Sequence, residues 1–78
     1  MNVGDFVRVH DDPANEYIRM NNIGGKVGKI TKATKAEFAC EISLIDEPQN
    51  IHLYKDEFDQ ITEDEYNIEI TRILIEVL

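Results

Sequence analysis

The sequence predicts a small, mainly β domain: a five-stranded barrel of short strands followed by an apolar C-terminal helix, with a strand as the alternative for that last element. Three observations predict it. Apolar residues alternate in VGDFVRVH and in EFACEISLI, the period of a strand with one buried face. The apolar runs are short and are separated by clusters of Gly, Pro, Asn and Asp, which favour turns over helix. At 78 residues and 42% hydrophobic content the chain can build a single core, so residues 1–61 form the barrel and residues 62–78 complete the same domain.

The first strand is VGDFVRVH, with Val3, Val7 and Val9 inward and Arg8 and His10 on the other face. DDPANEYIRMNN follows, and its Pro13, paired aspartates and three asparagines predict a long loop. Gly24 and Gly25 turn the chain into KVGKITKA. There Val27 and Ile30 are three apart, which a regular strand would place on opposite faces, so a bulge or sharp bend is predicted at Gly28. EFACEISLI puts Phe38, Cys40, Ile42 and Leu44 on one face, opposite Glu37, Glu41 and Ser43. DEPQN is a turn, and IHLY is a short strand with Ile51 and Leu53 inward. In KDEFDQI, Phe58 and Ile61 have the spacing of one helical or tight 3₁₀ turn leading to a last short strand.

The tail TEDEYNIEITRILIEVL opens with Thr62 and Glu65 in capping-box spacing. Tyr66, Ile70, Ile73, Leu74 and Val77 fall on one helical face. The many β-branched residues and the alternation of Tyr66, Ile68 and Ile70 speak for a strand instead. On the helical reading Ile68 and Ile75 lie off the packed stripe. The surplus is covered either by the barrel itself or by another chain, a second copy of this one included.

VGDFVRV, GGKVGKI, the third strand, IHLY and KDEFDQI together resemble the layout of SH3-like barrels of the KOW-like kind, on Gly4, Asp5, Val7, Val9, Gly25, Val27, Gly28, Ile30, Phe58 and Ile61. The resemblance implies a fold; barrels of this kind serve many functions. With no tryptophan and no aromatic stretch like that of signalling SH3 domains, it implies no proline-rich ligand.

Several function classes are disfavoured. No apolar run approaches the roughly 20 residues of a membrane span, and the opening MNVGDFVRVH lacks the character of a secretory signal, so a cytoplasmic protein is expected. Cys40 is the single cysteine; it forms no intrachain disulfide and is expected in the core. The Gly24–Gly28 spacing is one residue short of a phosphate-binding loop, and Lys29 is followed by Ile30 where Ser or Thr would hold magnesium. His10, Asp11, Asp12 and His52 lack metal-ligand spacing, and Ser43, the only serine, lacks a nucleophile's setting. No catalytic residue, metal or cofactor is therefore predicted, and the protein is expected not to be an enzyme.

Charge carries the remaining signal. The net charge is -8, yet residues 1–36 hold six basic side chains against four acidic ones, while residues 37–78 hold two against twelve. The predicted contact surface for a protein partner with a basic face comprises Phe6, Tyr17 and Tyr54 with the carboxylates of Asp56, Glu57, Asp59, Glu63, Asp64 and Glu65. Glu41, Asp46 and Glu47 extend the same acidic field. A partner of that charge would be a nucleic-acid-handling protein that this one regulates or inhibits. The alternative is a nucleic-acid-binding barrel using Arg19, Lys26, Lys29, Lys32 and Lys35. A third use of those lysines is pairing with the chain's own acidic half or with that of a neighbouring copy.

Overall fold

The computed structural model describes residues 2–33 and 40–77. Its elements in order are β1 (Phe6–Val9), α1 (Glu16–Asn21), β2 (Val27–Ala33), β3 (Cys40–Leu44), β4 (Ile51–Leu53), a 3₁₀ turn (Lys55–Glu57), β5 (Phe58–Ile61) and α2 (Glu63–Val77). The five strands are antiparallel in the order β4-β3-β2-β1-β5 and curl into a half-barrel, the architecture of a small SH3-like barrel with one C-terminal helix.

The concave face holds the core: Val7, Val9, Ile30, Cys40, Ile42, Leu44, Leu53 and Phe58 from the strands, with Ile18 of α1 and Ile23 as the lid. Ile51 packs at its margin. Cys40 is buried there as a small hydrophobe. Phe38, predicted inward beside it, lies outside the described residues.

Four expectations are corrected. Val3 is 63% exposed, because it sits in a turn in which the Asp5 N–H donates to the Asn2 carbonyl and Gly4 adopts φ +93°; the strand begins only at Phe6. The segment read as a long loop contains α1. Asn15 caps it by accepting from the Ile18 N–H, and Asn22, in the left-handed region, closes it by donating to the Arg19 carbonyl. Two of the asparagines that suggested a loop are thus the caps of a short helix.

Gly28 carries no bulge. It pairs in regular register with Val7 on one side and Leu44 on the other, and the register shift falls between Ile30 and Lys32. There the Thr31 hydroxyl donates to the Glu41 carbonyl. Val27 and Ile30 do face opposite ways: Ile30 enters the core, whereas Val27 is buried apart from it, opposite Arg8 on the outer face. Gly28 has another task. A Cβ there would lie 2.4 Å from the Ser43 carbonyl oxygen and 3.0 Å from the Leu44 Cα, so only glycine admits this approach of β2 to β3.

KDEFDQI does hold a 3₁₀ turn leading to the last strand, but Phe58 and Ile61 are not its residues. The 3₁₀ turn precedes them, and both lie in β5, Phe58 in the core and Ile61 outward opposite Phe6. Phe6, Arg8, Val27, Lys29 and Ile61 therefore share the outer face of the sheet, where α2 packs against β1 and β2. The Thr62 hydroxyl accepts from the Glu65 N–H at the start of α2, and acidic Glu63, Asp64 and Glu65 suit its first turn.

Candidate interaction surface

The sheet-facing stripe of α2 is Tyr66, Glu69, Ile70 and Ile73, all half-buried. Tyr66 meets Phe6 at 4.5 Å between ring centroids and a 46° tilt. Glu69 is the electrostatic anchor: its side chain is 14% exposed, accepts from the Arg8 guanidinium at 3.4 Å and pairs with Arg72 at 2.8 Å. A carboxylate this covered is tolerated because two guanidiniums compensate it.

This docking redistributes the predicted contact residues. Phe6 is taken up by the helix and offers no free aromatic face. Tyr17 on α1 and Tyr54 before the 3₁₀ turn are exposed, together with Met20, which the sequence reading did not single out. Glu57 turns inward: its two oxygens accept from the Tyr54 N–H at 2.8 Å and from the Asn15 amide at 2.7 Å, tying the 3₁₀ turn to the cap of α1. Asp56, Asp59, Glu63, Asp64 and Glu65 are exposed and follow one another from the 3₁₀ turn, along β5, into the first turn of α2. Asp59 has a partner within the chain, His10 Nε2 at 3.0 Å.

Of the basic residues, Arg19, Lys26, Lys29 and Lys32 lie among the described residues, in different settings. Lys26 lies between Asp46 at 3.2 Å and Glu47 at 2.8 Å, pairing the basic half of the chain with its acidic half. The hydrogen bond to Glu47 outweighs partial desolvation and holds the Lys26 ammonium above its ordinary 10.5, with Asp46 adding to the effect. Lys29 is exposed on the outer face, with its ammonium 5.2 Å from the Phe6 ring centre and 5.7 Å from that of Tyr66. Lys32 is exposed on β2 opposite Glu41, and Arg19 is exposed on α1. Lys35 lies outside the described residues.

Leu74 is a further correction. Assigned to the packed stripe from its spacing, it is 58% exposed, as Ile68 is at 66% and Ile75 at 67%. Ile68 and Ile75 were legible as surplus, and Leu74 joins them among the exposed large apolar residues of α2. The side chain of Val77 lies outside what the structure describes.

Among the described residues, no three His, Cys, Asp or Glu side chains converge as metal ligands. His10 is at the end of β1 and His52 on β4, at the other side of the sheet. Among the same residues no helix is long and apolar enough to cross a membrane. Comparisons with protein families, with curated proteins and with solved structures find no match to this chain.

Proposed function

We propose that this protein is a non-enzymatic interaction module whose acidic surface engages a basic protein partner, as a regulator or inhibitor of a nucleic-acid-handling protein. The observation that carries the reading is the unequal use of charge. Arg8, Lys26 and Arg72 are paired with carboxylates of the chain and Lys29 lies over two aromatic rings, while Asp56, Asp59, Glu63, Asp64 and Glu65 are exposed in one continuous segment. Such an arrangement turns the net charge of -8 outward. It steers a basic surface toward the segment and repels a polyanion. Exposed Tyr17 and Tyr54 supply aromatic contact area of the kind that interfaces favour.

The test is capture of partners from host lysate with and without nuclease, joined to gel-shift titrations against naked RNA and DNA at two salt concentrations. Capture that survives nuclease, with no shift of either nucleic acid, is expected. A salt-sensitive shift would move the function to the cations Arg19, Lys29 and Lys32.

A further inference from the structure

We propose that α2 is a clasp: it leaves the sheet and unwinds as one unit while the barrel stays folded, and the Arg8–Glu69 pair is what fastens it. The core is complete without the helix, since every residue of its buried cluster lies between Val7 and Phe58. No residue from Glu63 to Glu76 is itself buried; Tyr66, Glu69, Ile70 and Ile73 are covered only in part. The second half of α2 also stands off from the barrel. An open cleft of about 370 Å³ lies between Arg72 and Ile73 on the helix and Gly24, Lys26, Ile45 and Asp46 on the barrel. Side chains that border such a gap lack partner atoms on one side, which weakens the docking where α2 is farthest from its attachment.

Each charged group that ties helix to sheet has a second partner on its own side. When Glu69 leaves Arg8, the guanidinium retains the Gly25 carbonyl at 3.4 Å and Glu69 retains Arg72 at 2.8 Å. Lys29 keeps the Phe6 ring at 5.2 Å when it loses that of Tyr66 at 5.7 Å. Opening therefore strands no charge in an apolar setting, the circumstance that would make it prohibitive. The helix is capped locally by Thr62, and among the described residues Arg8 with Glu69 is the only side-chain hydrogen bonding between α2 and the barrel. Once undocked, a helix of fifteen residues is marginal in water, so it unwinds and its amides exchange together. Thr62, the one residue between β5 and α2, is the hinge. Opening bares Phe6, Arg8, Val27, Lys29 and Ile61, so a face covered by an acidic helix becomes apolar and cationic.

The test is amide hydrogen exchange of the full chain across a series of urea concentrations below the unfolding transition. The amides of residues 66–76 are expected to share one opening, about tenfold or more as frequent as that of β3 and less dependent on urea, because it exposes less surface. Glu69→Gln keeps the shape and removes the charge; it should speed the α2 amides together by about tenfold, the loss of a charge-assisted bond, and leave β3 unchanged. Arg8→Met should act similarly, and the two changes together should add no more than about threefold to either alone, since both remove the same tie. Exchange of α2 only through the global unfolding that opens β3 overturns the proposal, as do rates that rise progressively toward residue 76, the mark of fraying. A folded Glu69→Gln variant whose α2 exchanges as before, or effects of the two changes that simply multiply, overturns the fastening by Arg8 and Glu69. Should a variant unfold, the unmodified protein decides alone, by whether residues 66–76 share an opening distinct from that of β3. None of these outcomes bears on the acidic surface, which is read by partner capture.

Discussion

At the scale of single residues, Gly28 and Glu57 show how local chemistry and tertiary need can part. Gly28 supplies no special backbone angle; it is required because the Ser43 carbonyl occupies the place of a Cβ. Gly28→Ala should therefore destabilise the fold by about 2 kcal/mol, the usual cost of forcing one extra carbon against backbone that cannot step aside, read from urea denaturation. Glu57→Ala strips a hydrogen bond from the Tyr54 N–H and another from Asn15, and should cost about 1–2 kcal/mol in the same assay. Lys26 gives a pH dependence of known sign. Because its folded pKa is raised above 10.5, its contribution to stability is fully present below that value and is lost as pH rises through the folded pKa. Lys26→Met should flatten the alkaline limb of a stability-against-pH curve and leave the neutral region's slope unchanged.

At the scale of elements, legibility followed from how many faces of an element are covered. Val7, Val9, Cys40, Ile42, Leu44 and Leu53 were readable as core because their strands bury one face, and alternation reports that directly. Val27 was not, because it is buried by a helix that begins thirty-six residues later, and no local pattern encodes that cover. α1 escaped for the opposite reason: six residues between polar caps contain too few apolar positions to show a period, and only Ile18 is buried. In α2 the helix and its cap were legible in Thr62 and Glu65, whereas the place of Glu69 on the sheet-facing side rests on its pairing with Arg8 across sixty-one positions, which no local pattern encodes. Thr62→Ala should cost α2 about 1 kcal/mol by removing its cap. Tyr66→Ala should cost about 3 kcal/mol by exposing Phe6 and should also raise the mobility of the whole helix, seen as faster amide exchange in residues 66–76 than in β3.

At the scale of the whole molecule, the division of charge along the sequence becomes a division between inside and outside partners. The basic first half spends Arg8 and Lys26 on the acidic second half, at Glu69 and at Asp46 with Glu47, so the ion pairs also fasten distant parts of the chain together. Left outward are the carboxylates within residues 56–65, the cations Arg19, Lys29 and Lys32, and the apolar Ile68, Leu74 and Ile75 of α2. The individual surface carboxylates contribute little to folding, and their neutralisation should shift the melting temperature by only a few degrees. Their effect should instead appear in binding. The most direct measurement is partner capture by the intact chain set beside a variant carrying Asp56→Asn, Asp59→Asn, Glu63→Gln, Asp64→Asn and Glu65→Gln, both treated with nuclease. The acidic-surface account predicts that basic proteins retained by the original chain are lost from the folded variant; retention of the same proteins at the same level would contradict it.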